Sequence, residues 1–140
     1  MNRHEQKKTG SFYTDKDLID YIFKFNEFPI RDNSRILEPS VGDGGFVKKI
    51  IEIIKLKKIK NIIIDVCDIN SDVLSDLNKW WNENKVDDIT INFINDDFLF
   101  HDFKNYYDLV IGNPPFITLK KDNYYKKLKN EFKTINTINI

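Results

Sequence analysis

Cysteine is nearly missing from this 140-residue chain: Cys67 stands alone, which excludes an internal disulfide. Histidine is almost as scarce, and His4 and His101 form no metal-binding constellation. Net charge is missing too. The 22 basic residues are matched by 22 acidic ones, so the chain has no bulk electrostatic footprint for nucleic acid. Every apolar run falls far short of the ~20 residues that a membrane span needs. Residues 1–8 are polar, which is not the pattern of a secretory signal. A cytoplasmic protein with no membrane partner is the expectation, and no internal repeat is visible. What is present is the composition of a globular protein, 41% hydrophobic and 14% aromatic, at a length that suits one domain with one core.

The most telling stretch is Asn113-Pro114-Pro115-Phe116, directly after the apolar run Tyr107-Asp108-Leu109-Val110-Ile111-Gly112. A strand ends there and the prolines stiffen the turn, because both fix φ and neither offers an N–H. An amide and an aromatic ring are thereby held at the carboxyl edge of a sheet. That arrangement suits methyl transfer to an exocyclic amino group, whose nitrogen is a poor nucleophile because its lone pair is delocalised into the ring. The Asn113 side-chain oxygen and the Pro114 carbonyl are adjacent acceptors for the amine hydrogens, and Phe116 can stack on a base turned out of a duplex. The bland alternative is a turn with Phe116 packed in the core.

Residues 36–46, Ile-Leu-Glu-Pro-Ser-Val-Gly-Asp-Gly-Gly-Phe, read as a strand, a glycine-rich loop and the start of a helix. The helix follows from the spacing of Phe46, Val47, Ile50, Ile51, Ile53 and Ile54. Such turns bind nucleotide-like cofactors in doubly wound α/β folds. The glycine spacing is neither the dinucleotide fingerprint nor a P-loop. A second strand over 62–68 ends in Asp68, where an acid can hold ribose hydroxyls; Asp68 could instead cap the next helix, over 71–81, as could Asn70. Trp80-Trp81 would end that helix. A third strand over 89–94 leads to Asp97-Phe98, which could bind an adenine amino group and cover its ring, or could form a solvated turn over the core. A fourth strand is expected over 108–111. Strands alternating with helical segments predict an α/β fold with a parallel sheet.

Taken in order, these elements resemble the amino-terminal part of S-adenosylmethionine-dependent adenine-N6 DNA methyltransferases, in the group whose cofactor motifs precede the catalytic motif. Thr9-Gly10-Ser11-Phe12-Tyr13-Thr14 is similar to that group's G-x-[FY]-[YF]-T-P element, and residues 38–46 to its D/E-P-x-x-G-x-G-x-F loop. The resemblance implies a Rossmann-like class I methyltransferase sheet, incomplete at about four parallel strands with flanking helices. It implies S-adenosylmethionine as cofactor, no metal, and DNA as substrate with an adenine flipped from the duplex. Residues 1–140 would be the amino-terminal portion of the catalytic domain, lacking later strands and a target-recognition region. The missing part could come from a second polypeptide, and without it the chain would be inactive. Restriction–modification is the implied setting.

Carried over by position, the resemblance gives Asn113, Pro114, Pro115 and Phe116 the catalytic turn. Thr14 and the Gly42–Gly45 loop, Gly44 included, would surround the methionine part of the cofactor, with Glu38 orienting the loop or the ammonium and Pro39 among the cofactor-binding residues. Asp68 would take the ribose, and Asp97 with Phe98 the adenine. Asp15 stands where proline is usual, Asp43 where a small residue is usual, and Phe116 where tyrosine is more frequent. Asp43 could attract a sulfonium or face solvent. Other readings are methylation of guanine in RNA or of protein glutamine, or a non-catalytic cofactor-binding remnant or split subunit. Residues 122–132 read as a helix with Tyr124, Tyr125, Leu128 and Phe132 on one side, and 134–140 could begin a strand. Lys120, Lys121, Lys126, Lys127 and Lys129 could meet phosphates or form a solvated face. Lys55 to Lys60 reads as a solvated run, and Cys67 as packing.

Overall fold

The computed structural model describes residues 13–115 and 123–131. The chain divides into two units, one of residues 12–114 and the other of residues 1–11 with 115–140. The larger unit runs α1 (Lys16–Phe25), β1 (Arg35–Glu38), α2 (Gly45–Lys57), β2 (Ile62–Asp68), α3 (Ser71–Glu83), β3 (Ile89–Asn95) and β4 (Leu109–Val110). All strand pairs are parallel, in the order β3-β2-β1-β4. The chain therefore grows outward from β1 in one direction and then reverses to place β4 on its other side. Crevices at such a reversal, beyond the carboxyl ends of the strands, are where ligands bind in open α/β sheets.

β2 is an isoleucine and valine run buried on both faces, as expected where a parallel sheet is covered, whereas β3, at the end of the strand order, alternates with exposed polar residues. Ile36, Ile62, Ile64, Val66 and Ile89 join Val47, Ile50 and Ile54 of α2 and Leu74, Leu77 and Trp81 of α3 in one buried cluster. Asn70 caps α3 by accepting from the Asp72 N–H. Asp68 is not that cap. The helix does not stop at Trp81 but continues to Glu83. Trp81 belongs to the buried cluster, and the stop comes from Asn84, whose backbone N–H donates to the Trp81 carbonyl and whose side chain donates to that of Trp80. β4 is shorter than the expected 108–111, although Asp108 N–H still donates to the Arg35 carbonyl and Ile111 N–H to that of Leu37. The helix α1 has no counterpart in the sequence expectations. Asp15 explains its start by accepting from the Asp17 N–H as N-cap.

Asp65 is buried in the middle of β2, and four donor groups meet it. Arg35 Nη2 and Nε donate to its Oδ2 at 2.8 and 3.2 Å, Tyr107 Oη donates to the same oxygen at 2.7 Å, and Asn92 Nδ2 donates to Oδ1 at 2.7 Å. Burial opposes the charge, but the Tyr107, Asn92 and Arg35 contacts together hold this carboxyl below its ordinary value. The network ties β1, β2 and β3 to the segment that leads into β4.

The smaller unit contributes α4 (Asn123–Glu131), in which Leu128 is buried and Lys126, Lys127 and Lys129 are exposed. Lys120, Lys121, Phe132 and residues 134–140 lie outside the described residues.

Candidate functional site

The loop that follows β1 is fastened to the end of β2. Val41 N–H donates to the Cys67 carbonyl at 2.9 Å, and Gly42 N–H donates to Asp68 Oδ2 at 3.0 Å. The other Asp68 oxygen accepts from the Asn70 N–H at 2.9 Å. Asp68 thus holds the loop, and each carboxylate oxygen keeps a lone pair for a further donor such as a hydroxyl. Gly44 sits at φ +78°, and a Cβ there would come within 2.6 Å of Leu77 Cδ1. Only glycine therefore lets the loop enter α2 this close to α3. Asp43 is exposed, and its Oδ1 accepts from the Gly45 N–H at 3.1 Å, so it serves the first turn of α2.

Beside this loop lies a small cavity of about 30 Å³, lined by Thr14, Glu38, Ser40, Gly42 and Asn113 among others. Thr14 and Asn113 stand 99 positions apart in the chain, yet Asn113 Nδ2 donates to Thr14 Oγ1 at 3.3 Å. That contact anchors the amide by its nitrogen. Among the described residues, nothing donates to Asn113 Oδ1, so the acceptor end is presented.

Glu38 is almost completely buried, at 1% exposure. Its Oε1 accepts from the Ser40 N–H at 3.2 Å. Burial pushes its pKa from 4.5 up to about 8; the Ser40 N–H pulls the other way, and the Asp68 charge adds to the rise. Gly112 makes room for it, since a Cβ there would fall 2.2 Å from Glu38 Oε1. Ser40 Oγ is buried and, among the described residues, is the one buried side-chain N or O atom with no hydrogen-bond partner. Neither Ser40 nor Gly112 stood out in the sequence as a site residue.

Asp97 and Phe98 follow β3, two strands from β1, and both are half-buried. Asp97 Oδ1 accepts from the Leu99 N–H, so it also shapes its own turn. Neither residue lines the small cavity, and Asp68 connects to it through Gly42. Pro39 is half-buried, and Pro114 and Pro115 are exposed. Phe116 and residues 9–12 lie outside the described residues. Cys67 is fully buried, its pKa pushed up to about 11 by burial, and its thiol donates to the Asp96 carbonyl; it is a packing residue.

A larger cavity, about 760 Å³, lies against α1, α2 and α3 rather than at the strand ends. Three of its four lysines are engaged, Lys16 with Asp20, Lys49 with Asp20 and Glu52, and Lys48 over the Trp80 ring. Among the described residues, no group of three or more His, Cys, Asp or Glu is placed to hold a metal, and no helix is long and apolar enough to cross a membrane.

The pattern of the N-6 DNA Methylase family matches residues 1–139. The Type II methyltransferase M.CvrRI of Paramecium bursaria Chlorella virus XZ-6E is 29% identical over 118 residues, which cover 84% of this chain and 27% of that protein. Among solved structures, a protein classed as a class I S-adenosylmethionine-dependent methyltransferase from Listeria monocytogenes superposes with a TM-score of 0.57 at 17% identity. That match covers 80% of this chain and 32% of the other. It shows the fold, a Rossmann-like class I methyltransferase sheet. This chain spans well under half the length of either relative.

Proposed function

The chain belongs to the N-6 DNA methylase family, and from that premise we propose that it carries the cofactor-binding half and catalytic turn of an enzyme that methylates adenine N6 in DNA. Restriction–modification is the setting we propose for it. The observation that carries this reading is the Asn113–Thr14 contact, which joins the turn after β4 to the segment before α1 at the reversal of the sheet.

S-adenosylmethionine, when bound, supplies a methyl group already activated on a sulfonium. The donor set suits such a ligand. In this reading Glu38 would take an ammonium, Asp68 vicinal hydroxyls, and Asp97 with Phe98 an adenine ring. Gly42, at φ +52°, lets the backbone approach closely, because a Cβ there would crowd the Tyr13 ring at 3.0 Å. Thr14 fixes the Asn113 amide so that its oxygen, with the Pro114 carbonyl, accepts from the target amine. These acceptors would localise the nitrogen lone pair and orient the amine before reaction. Phe116 would stack on the flipped base.

The test is methyl transfer to adenine in duplex DNA by the full-length protein that carries this sequence. Asn113→Ala should lower turnover by about 10²–10³-fold, as for loss of one positioned polar group at a reacting centre, while cofactor binding persists. Near-normal turnover in that variant, or methyl transfer to RNA or protein in preference to DNA, would overturn the assignment.

A further inference from the structure

The approach to β4 is fastened more heavily than the strand itself. β4 meets β1 through two register pairs, against four between β1 and β2 and seven between β2 and β3. So short a pairing is weakly specified by its backbone. After a slip of one residue the same N–H and C=O groups could pair again, with every side chain turned to the opposite face. Side chains can tell the two registers apart. Just before β4, Tyr107 Oη donates to Oδ2 of the buried Asp65 at 2.7 Å. The Arg35 guanidinium, bound to the same oxygen, lies over the Tyr107 ring at 5.8 Å. Asp108 Oδ2 accepts from the Arg35 N–H at 2.8 Å, and the Asp108 N–H donates to the Arg35 carbonyl at 2.8 Å. The Tyr107 and Asp108 side-chain bonds suit one register only.

Asn113 lies six residues beyond Tyr107, about 20 Å of extended chain. Little holds the register at that end. Gly112 leaves room for Glu38 but has no side chain to bind it, and the Asn113–Thr14 contact, at 3.3 Å, is long for a hydrogen bond. A slip of one residue would carry Asn113 about 3.3 Å along the strand, and a misplacement of about 1 Å at a reacting centre can cost about 10²-fold in rate. Resting on the function proposed above, we infer that Tyr107 is a positioning residue for methyl transfer: its hydroxyl, through Asp65, sets the register of β4 and with it the place of the Asn113 amide. It acts through the strand and not on the reacting atoms.

Asp65 offers an internal control. Asn92 Nδ2 donates to its other oxygen at 2.7 Å from β3, which keeps its seven register pairs whether or not that bond is made. Tyr107→Phe and Asn92→Ala therefore each take one donor from the same carboxylate, but only the first loosens β4. Both are made in the full-length protein that carries this sequence. Calorimetric titration with S-adenosylmethionine gives the affinity and the fraction of competent molecules. The first-turnover rate of methyl transfer from labelled S-adenosylmethionine is then measured in excess unmethylated genomic DNA, per competent molecule. Urea unfolding of each protein is followed alongside. Tyr107→Phe should lower the rate about 10-fold or more while its affinity for S-adenosylmethionine stays that of wild type. Asn92→Ala should lower the urea midpoint and leave the rate unchanged.

A wild-type rate in Tyr107→Phe would overturn the proposal. So would equal slowing in both variants, or a loss of cofactor affinity in Tyr107→Phe that matches its loss of rate, since either would make the hydroxyl a support of the fold in general. Asp108→Ala removes the acceptor of the Arg35 N–H at the same end of β4 on an exposed side chain, and it stands in should Tyr107→Phe not fold. It should show the same split between rate and affinity, and a wild-type rate in it would count equally against the proposal. Wild-type protein that transfers no methyl group to adenine in DNA would instead remove the functional reading on which the proposal rests, and the proposal with it.

Discussion

Glu38 makes a prediction that needs no ligand. Its carboxyl moves from an ordinary 4.5 to about 8 on folding, chiefly through burial. Between those values the folded protein holds a proton that the unfolded chain has released. Stability from this group is therefore fully present below about pH 4.5, falls as pH rises, and is lost above about pH 8. The slope in mid-window is about 1.4 kcal/mol per pH unit, and the whole fall is about 3–5 kcal/mol. Small domains are stable by only about 5–15 kcal/mol, so the effect is large enough to dominate the pH profile. Glu38→Gln preserves the shape and cannot ionise. Urea unfolding of both proteins between about pH 5 and pH 8 isolates the effect, because every other titrating group is shared. The expected result is a difference curve in which wild type loses about 1 kcal/mol or more per pH unit against the variant. Parallel curves, within about 0.5 kcal/mol, would refute the reasoning and place Glu38 as a carboxylate at neutral pH.

Gly112→Ala should destabilise by about 1–3 kcal/mol, the usual range for overpacking. Its Cβ would meet Glu38 Oε1 at 2.2 Å, and Glu38, at 1% exposure, has little room to move away. A double-mutant cycle with Glu38→Ala should recover most of that loss, and strict additivity would show that the clash lies elsewhere. Asp65→Ala should cost about 3 kcal/mol in urea unfolding near neutral pH, since it leaves Arg35, Tyr107 and Asn92 without their common acceptor. A loss below about 1 kcal/mol would mean that water replaces the carboxylate. The sign with pH is opposite to that of Glu38: the Asp65 contribution is present above the ordinary carboxyl value and lost as pH falls through its lowered one.

Much of the sheet was legible because its strands are written as short apolar β-branched runs bounded by polar residues. The expected bounds of β2 coincide with those observed. The helix α1 was legible in principle, although it does not figure among the expected elements: Lys16, Asp17, Asp20 and Lys24 fall on one side and Leu18, Ile19, Tyr21, Ile22, Phe23 and Phe25 on the other, which is a helical period. Much of that apolar side is exposed in the fold, Leu18, Tyr21 and Phe25 by 51%, 62% and 61%. Its start is marked by Asp15, which departs from the family pattern in the position that becomes the N-cap.

At the site, the residues with chemistry of their own could be picked out one by one, because an acid at a strand end or an amide before two prolines is recognisable locally. What could not be read was which of them meet. The parallel order β3-β2-β1-β4 sends the turn after β4 back beside the loop after β1, and that reversal brings Gly112 against Glu38. A glycine before Asn-Pro-Pro looks like strand punctuation in the sequence. In the fold it is the reason a carboxyl can be packed dry, and dryness keeps that carboxyl protonated near neutral pH. Asp68, by contrast, looked like a ligand residue and proves to be a loop anchor as well. Its replacement by alanine would remove both roles together. Glu38 therefore makes the sharper probe of the pocket: Glu38→Gln, which keeps the shape and cannot ionise, should leave the folded chain at least as stable near neutral pH while changing what it can bind.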